Sequence, residues 1–413
     1  MNNSILNIGF ILKDLNAYQS HVKPFFDNAP HNKYYFFVFH INKYYSHQKE
    51  INYCNIKFID LTLNKNINKT LKFYKIDFLL SINPGNIFDL FVSTVAKNIN
   101  IPTAYYQHGL QLDFTSFNPK ILFQSSSFIK KINSIRKYSF FYFLFFINII
   151  SSSNKIFLMR TVWLKTLILL NKRDIAILPK YGLKENHVDY AFMFGEIDKN
   201  YLISSMNMDS RNIFITGYPF LQYDKYNFSN KKLINKKTRK ALYLSTALRA
   251  TGVSPITIEE EKMFYQKLFK QVDKAGYKLI LKLHPLEDPL LFKSYFNGMD
   301  VEILSNVNLA DLCYESDLVI GEYTTTFFYA IREKKPIIII NSNYFNEYPF
   351  DFTKFGIGVK SDIDELATVI SKNKNLTRAN MLAYEKFSRN YINYNGCSYN
   401  KIYNHIENIL DYN

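Results

Sequence analysis

Two histidines stand where apolar, strand-like runs of the sequence end, and they are the first candidates for chemistry. His108 follows the run Ile101–Tyr106, and His284 closes the run Tyr277–Leu283. An imidazole titrates near neutral pH, so it serves as a general base or as a hydrogen-bond donor. In open α/β sheets, ligands bind outside the carboxyl ends of the strands. A single histidine in such a place is commonly a capping or packing residue, but the pair predicts two domains with a substrate between them.

The residues around His284 have the side-chain types of a phosphate site. Lys282 and His284 alternate along the chain, so we expect both side chains to point the same way and to donate to phosphate oxygens. Pro285 stops the strand. Ser245 and Thr246 follow the first apolar run of the second half and add two hydroxyl groups. These strand ends together predict a site for the phosphates of a nucleotide.

A second group of hydroxyl residues supports the same prediction. Thr324, Thr325 and Thr326 lie between a short apolar run and a helix predicted over 327–334. One threonine is enough to cap a helix, whereas three favour binding of an anion at the positive end of the helix dipole. Capping by Thr324 or Thr325 alone is the alternative. Glu322 either accepts hydrogen bonds from a ribose or is a solvated loop carboxylate.

The first half of the sequence supplies residues expected to contact an acceptor. His108 is the candidate general base for an acceptor hydroxyl, and Gly109 allows a ligand to approach the backbone closely. Gln107 lies on the same acceptor side. Asp113 either orients His108 as a second catalytic residue or is an ordinary loop carboxylate.

Several common nucleotide and metal motifs are absent from the sequence. It has no G-x-x-x-x-G-K-[ST] loop, no G-x-G-x-x-G after the first strand and no G-x-S-x-G elbow. The one D-x-D motif, Asp362-Ile363-Asp364, is predicted to cap a helix that begins at Glu365. We therefore expect no metal ion and no cofactor.

Short apolar runs alternate with helix-length stretches along most of the 413 residues, which is the pattern of α/β layers. We expect a first domain over 1–222, a linker over 223–240 and a second domain over 241–375. Helices over 376–413 are expected to pack back on the first domain. The predicted strands are Ile5–Leu12, Tyr35–Phe39, Ile56–Ile59, Ile76–Ile82, Thr103–Tyr106, Ile156–Met159, Ile175–Leu178, Tyr190–Phe194, Ile213–Thr216, Ala241–Ser245, Tyr277–Leu283, Val301–Leu304, Leu318–Ile320 and Pro336–Ile340.

One insertion in the first domain, 128–170, breaks this alternation. It contains the largely aromatic run Tyr138–Ile147, preceded by several lysines and an arginine. The run is too short for a bilayer span, which needs roughly 20 residues. It is either a buried helical segment or an interfacial element on anionic lipid.

Bulk properties restrict the partners and the compartment. The formal net charge is +16, but there is no dense basic run and no nucleic-acid motif, so we do not expect nucleic acid as a partner. Cys54, Cys313 and Cys397 form neither a disulfide pattern nor a zinc pattern, which fits a reducing compartment. The first apolar run lacks the flanks of a signal peptide. We expect a cytoplasmic protein, peripheral on the inner face of the plasma membrane if 128–170 contacts lipid.

Three motifs in order resemble those of bacterial two-domain GT-B transferases of surface polysaccharides: His-Gly at His108, Lys-x-His-Pro at His284, and a Ser-Asp to Thr-Thr motif over Ser316–Thr325. Two such groups are the CDP-glycerol glycerophosphotransferases of teichoic acid synthesis and the capsule transferases that use CMP-activated nonulosonic acids or Kdo. The resemblance implies an α/β fold of two Rossmann-like domains facing across a cleft. It also implies that His284, Thr324 and Thr325 bind a cytidine nucleotide and that His108 is the catalytic base.

Two departures from the glycerophosphotransferases favour a sugar donor. Those enzymes usually carry Trp where this sequence has Gln107, and Asp where it has Glu322. We therefore predict a metal-independent glycosyltransferase that moves a sugar from a CMP-sugar to a surface polysaccharide or a lipid-linked glycan. The alternatives are a CDP-glycerol-type glycerophosphotransferase, a nucleotide-sugar epimerase and, from another class, a non-catalytic assembly protein for polysaccharide export.

Overall fold

The computed structural model describes residues 5–12, 18, 22–30, 33–40, 55–61, 63, 66–82, 87–107, 188–219, 221, 238–247, 249, 256–305, 307–322, 324–341, 351–392 and 398–412. They form two compact units. The described residues of 5–107, 188–221 and 398–412 make the first unit, and those of 238–392 make the second. Each unit is built on one parallel sheet with helices.

The sheet of the first unit has seven parallel strands within the described residues, in the order β3-β2-β1-β4-β5-β6-β7. This order extends the 3-2-1-4-5-6 arrangement of Rossmann-like folds by one strand. Its central strands are continuous apolar runs because a parallel sheet is covered on both faces. The strands are β1 Leu6–Ile11, β2 Tyr34–His40, β3 Ile56–Asp60, β4 Phe78–Ser81, β5 Thr103–Tyr106, β6 Tyr190–Met193 and β7 Ile213–Ile215.

Helices cover this first sheet, and the last helix of the chain is one of them. The ring of Tyr403 in that helix stacks on Tyr34 with centroids 4.9 Å apart, and its hydroxyl donates to the carbonyl of Phe25 at 2.5 Å. His405 stacks on Phe214 at 4.1 Å. Among the described residues, the helices of this unit are α1 Lys23–Asp27, α2 Ile67–Phe73, α3 Ile87–Lys97, α4 Glu196–Met206 and α11 Ser398–Tyr412.

The sheet of the second unit has six parallel strands within the described residues, in the order β10-β9-β8-β11-β12-β13. The chain crosses from one side of β8 to the other between β10 and β11, so the carboxyl ends of β8 and β11 form a topological switch point. The strands are β8 Lys240–Leu244, β9 Lys278–Lys282, β10 Val301–Leu304, β11 Leu318–Gly321, β12 Ile337–Ile340 and β13 Val359–Ser361.

The longest helix of the second unit follows β8 and begins with a capping box. Thr257 accepts from the backbone N–H of Glu260, and the Glu260 carboxylate accepts from that of Thr257. Tyr265 and Leu268 of this helix are buried in the core of the unit. In the part of this unit that the structure describes, the helices are α5 Ile258–Lys274, α6 Pro289–Tyr295, α7 Leu309–Glu315, α8 Phe327–Arg332, α9 Leu366–Lys372 and α10 Arg378–Phe387.

The structure confirms the two parallel α/β domains and differs from the sequence predictions in three details. The strand β13 was not predicted. Asp362 and Asp364 do not cap α9, whose N-cap is Glu365 without a side-chain bond; they bind Asn341 and Lys267 instead. The predicted C-terminal region 376–413 is divided, because α10 belongs to the second unit and α11 to the first.

Some predictions concern parts of the chain that the structure does not describe. These are the strands at 156–159 and 175–178, the insertion 128–170 and most of the linker 223–240.

Candidate active site

The carboxyl ends of β8 and β11 bring three of the predicted donor-site residues together. Ser245 and Thr246 follow β8, and Glu322 follows β11. Thr246 Oγ1 donates to Glu322 Oε2 at 2.8 Å. Glu322 is only 8% exposed, so it is not a solvated loop carboxylate. Burial, helped by the negative charge of Glu287, raises the pKa of Glu322 to about 7.

Gly321 allows the two strand ends to approach this closely. A Cβ at Gly321 would lie 3.2 Å from the carbonyl oxygen of Leu244 and 3.2 Å from the ring of Phe327. A side chain there would push the end of β11 away from β8 or displace the ring. The glycine therefore fixes the position of Glu322 opposite Thr246.

His284 presents a neutral imidazole in the turn after β9. The backbone N–H of Leu286 donates to His284 Nδ1 at 3.2 Å, so the proton of the neutral ring is assigned to Nε2. Burial, together with the positive charge of Lys282, lowers the pKa of His284. At neutral pH the ring is therefore a hydrogen-bond donor through Nε2, as a phosphate ligand needs to be. Pro285 follows it in the exposed part of the turn.

Lys282 is the last residue of β9 and is partly buried. Its Nζ donates to the carbonyl oxygen of Leu283 at 2.6 Å, which leaves two of its three N–H bonds for a ligand. Burial lowers the pKa of Lys282, and the negative charge of Glu287 opposes that shift. A phosphate placed here would restore the stabilisation of the ammonium group that burial removes.

Glu287 is a residue that the sequence reasoning missed, and it ties the two parts of the site together. Its Oε2 accepts from the backbone N–H of His284 at 2.7 Å, and its Oε1 accepts from Ser245 Oγ at 2.6 Å. The Ser245 hydroxyl lies 3.0 Å from that of Tyr265. Because Ser245 donates its one proton to Glu287, it is left to accept from Tyr265. Ser245 thus holds the turn of His284 in place through Glu287.

Glu261 belongs to a second buried network that the sequence did not reveal. Its Oε2 accepts from Arg249 Nε at 2.7 Å and from the hydroxyl of Tyr295 at 2.8 Å. Glu261 is 4% exposed. In the sequence it is one of three consecutive glutamates at the start of α5, a pattern typical of a solvated first turn.

The hydroxyl cluster lies at the start of α8, and one of its three threonines accepts from a backbone N–H there. The N-cap residue is Thr326, and its side chain makes no capping hydrogen bond. Thr324 Oγ1 lies 2.7 Å from Thr326 Oγ1 and accepts from the backbone N–H of Thr326 at 3.2 Å. Thr325 is partly exposed between them. Capping therefore accounts for the hydroxyl of Thr324, and anion binding by the cluster stays a prediction.

Gln107 has a structural role at the end of β5 in the first unit. It is fully buried, and its Oε1 accepts from the backbone N–H of Phe194 at 2.7 Å. Its own backbone N–H donates to the carbonyl of Phe192 at 3.2 Å. The side chain thus joins the end of β5 to the end of β6 and fixes the backbone that leads into His108.

Several predicted features remain beyond the described part of the chain. His108, Gly109 and Asp113 lie there, as does the segment 128–170. Within the described residues, no group of three or more His, Cys, Asp and Glu side chains is arranged as a metal site. No helix among them is long and apolar enough to cross a membrane.

Solved structures with the same architecture share little sequence with this chain. A putative UDP-N-acetylglucosamine 2-epimerase from Listeria monocytogenes superposes with a TM-score of 0.57 at 12% identity, covering 99% of this chain and 98% of that chain. The wall teichoic acid polymerase TagF superposes with a TM-score of 0.56 at 13% identity, covering 98% and 88%. The UDP-GlcNAc 2-epimerase from Methanocaldococcus jannaschii superposes with a TM-score of 0.56 at 15% identity, covering 99% and 100%. These similarities show the GT-B fold.

A comparison with protein families is more specific. No curated protein sequence matches the chain significantly. The family model of CDP-glycerol:poly(glycerophosphate) glycerophosphotransferase matches residues 156–408, more than half of the chain. The matched region contains the donor-site residues from Ser245 to Thr326 and leaves out His108. It fits the glycerophosphotransferase alternative better than the CMP-sugar donor expected from Gln107 and Glu322. The chain belongs to the CDP-glycerol:poly(glycerophosphate) glycerophosphotransferase family.

Proposed function

We propose that this protein transfers a glycerophosphate-type unit from a CDP-linked donor to the growing end of a surface polymer. The observation that carries the proposal is the turn after β9. There the Nε2–H of a neutral His284 and the ammonium of Lys282 lie in the matched region, at the carboxyl end of a strand. Such a pair of donors suits the phosphates of a nucleotide.

The chemistry requires charge stabilisation on the leaving group. An acceptor hydroxyl attacks the β-phosphorus of the donor, a new P–O bond forms, and the bond from that phosphorus to the bridging oxygen breaks. CMP leaves with that oxygen and one additional negative charge. Lys282 and His284 are proposed to stabilise this charge, since donors fixed before the reaction supply the largest electrostatic contribution. His284 is a poor base here because its Nδ1 already accepts a hydrogen bond.

The proton of the acceptor hydroxyl needs a base from elsewhere in the chain. We propose His108 for this role, with Asp113 orienting it, because we assign His284 to the donor side. Replacing His108 with Ala should stop transfer and leave the affinity for CMP unchanged, as measured by calorimetry. Normal turnover in this variant would rule out the role.

The donor side is tested by binding, which needs no acceptor. His284→Ala and Lys282→Ala should each weaken CMP binding at least tenfold, since a charge-assisted hydrogen bond is worth about 1.5–3 kcal/mol. Lys293→Ala is the matched control, because Lys293 is exposed on α6. Unchanged CMP affinity in both site variants would remove the support for this donor site.

Turnover separates the proposed reaction from its alternatives. The purified protein is incubated with CDP-glycerol, a CMP-sugar or UDP-N-acetylglucosamine, with and without a glycerophosphate primer, and released nucleotide is measured. We expect CMP release from CDP-glycerol that depends on the primer. If CMP is released from the CMP-sugar and not from CDP-glycerol, the second candidate, a glycosyltransferase, is favoured. The departures at Gln107 and Glu322 support that candidate. Conversion of the UDP-sugar without an acceptor would indicate an epimerase, and no turnover with intact binding would indicate an assembly protein.

Several finer features remain predictions of this proposal. Activity should persist in the presence of EDTA, since no metal ion is expected. A cytoplasmic location is likewise expected. Contact of 128–170 with anionic lipid is also expected, and it predicts that the protein sediments with anionic vesicles.

A further inference from the structure

A cavity of about 220 Å³ opens at the carboxyl end of the second sheet. Its wall includes the side chains of Tyr243, Phe264, Tyr265 and Ile340. The volume is smaller than the roughly 300–1,000 Å³ of pockets that enclose a drug-sized ligand. The cavity therefore suits one ring system with its substituents, held against aromatic and aliphatic side chains, rather than a whole nucleotide.

The charges on the cavity wall differ from those of the His284 turn. The wall is lined by four glutamates, Glu260, Glu261, Glu287 and Glu322, and the guanidinium of Arg249 is already paired with Glu261. Among the described residues, Lys282 and His284 are not part of this wall. A phosphate is therefore favoured at the turn and disfavoured in the cavity. A neutral group that donates hydrogen bonds is favoured in the cavity.

Glu322 offers the cavity an acceptor whose position is fixed. Its Oε2 is held by Thr246, whereas its Oε1 accepts no hydrogen bond from any described residue. Both oxygens of Glu287, in contrast, are occupied by Ser245 and His284. A second acceptor lies on the same wall, because Asn341 uses its Nδ2 to bind Asp362 and its Oδ1 remains. The cavity thus presents acceptors to its ligand.

We propose that Glu322 selects the base of the nucleotide donor by accepting a hydrogen bond from the exocyclic amino group of cytosine. This inference rests on the proposed function, which requires a cytidine nucleotide. Cytosine carries an N4 amino donor where uracil carries an O4 acceptor. An ionised carboxylate attracts the first and repels the second. The apolar rings of the wall accept either base, so the discrimination depends on Glu322.

The test compares CMP and UMP by calorimetry at pH 8 in the wild type and in Glu322→Gln. The wild type should bind CMP at least tenfold more tightly than UMP, the factor typical of one base contact. In the variant the two affinities should differ by less than about threefold, because an amide can accept from N4 or donate to O4. Glu302→Gln, an exposed change on β10, should keep the wild-type ratio.

The possible outcomes distinguish this inference from the proposed function. If the wild type binds neither nucleotide, the proposed function fails. If the wild type binds both equally, or if Glu322→Gln keeps the preference for CMP, the inference is wrong and the donor site stands. A third ligand, 2′-deoxy-CMP, tests the ribose. If Glu322 binds the ribose instead, Glu322→Gln changes the ratio of the affinities for CMP and 2′-deoxy-CMP. It then leaves the ratio of the affinities for CMP and UMP unchanged, and this result would also overturn the inference.

Two further measurements keep the test decisive if Glu322→Gln does not fold. Thr246→Val removes the donor that orients Glu322 and should reduce the preference for CMP. In the wild type the preference should also decrease from pH 8 to pH 6, because a protonated carboxyl can donate to O4 of uracil. The titratable groups that face Glu322 are Glu287, from the turn after β9, and Tyr265, from α5. A preference unaffected by both changes would contradict the inference.

Discussion

Glu322→Gln should stabilise the second domain at alkaline pH, although it removes a residue of the candidate site. The carboxyl group is buried, and burial raises its pKa from 4.5 to about 7. This difference makes the ionised form about 3 kcal/mol less favourable in the folded protein than in the unfolded chain. Gln has nearly the same shape and no charge, so the variant avoids that cost.

The sign of the pH dependence follows from the two pKa values. Between pH 4.5 and pH 7 the folded protein keeps the proton on Glu322, whereas the unfolded chain has lost it. The free energy of unfolding therefore decreases as the pH rises through this window, and the full cost is present above pH 7. The hydrogen bond from Thr246 lowers the pKa of Glu322 and is already included in the value of about 7, so its loss is not subtracted a second time. The gain in the free energy of unfolding is about 3 kcal/mol at pH 8 and about 1 kcal/mol or less at pH 5.

Urea unfolding at pH 5, 6, 7 and 8 measures this difference. A two-domain chain need not unfold in one step. The quantity to compare is therefore the difference in the free energy of unfolding between wild type and variant at each pH. Glu302→Gln changes an exposed residue of β10. Its free energy of unfolding, plotted against pH, should run parallel to that of the wild type. If Glu322→Gln also gives a parallel curve, the carboxyl group of Glu322 does not have a raised pKa in the folded protein.

Three other substitutions have expected effects that urea unfolding can measure. Glu261→Ala removes the acceptor of the buried Tyr295 hydroxyl and of the partly exposed Arg249 guanidinium and should cost about 1–3 kcal/mol; a change below about 0.5 kcal/mol would mean that the network is effectively solvated. Gln107→Ala leaves the N–H of Phe194 unsatisfied and should cost about 1–3 kcal/mol while CMP affinity stays constant; a loss of CMP binding would contradict a role confined to the first domain. Gly321→Ala should cost about 1–3 kcal/mol through overpacking and should also weaken CMP binding, and unchanged affinity would show that the strand ends tolerate separation.

The fold was predictable because strands that are buried on both faces appear in the sequence as continuous apolar runs. The run Ile337–Ile340 is entirely buried and was found from sequence. The missed strand, Val359–Ser361, has three residues, an exposed lysine at its centre and a glycine just before it. Such a short strand at the edge of a sheet exists through its pairing with β12, and that pairing has no local signature.

The candidate site was only partly predictable, for a different reason. His284 and Lys282 were found because a strand end followed by proline is a local pattern. Glu287 and Glu261 were missed because a carboxylate in a turn or in the first turn of a helix is usually solvated. What buries them is the packing of α5 over the ends of β8 and β9, which depends on residues far apart in the sequence.

The buried carboxylates of the second domain have two different roles, one shared by Glu261 and Glu287 and the other that of Glu322. Both oxygens of Glu287 are bound by donors, as is Oε2 of Glu261, so these two residues position the turn of His284 and Arg249. The donors to Glu287 offset part of the cost of its burial, which still raises its pKa. Glu322 has one oxygen without a donor among the described residues, so part of its burial cost is left uncompensated. A ligand that donates to this oxygen removes that cost, favours the ionised carboxylate and stabilises the domain in the same step. Such a group lowers the stability of the free protein, and the ligand restores that stability when it binds. A group of this kind is expected at a binding site rather than in a structural core.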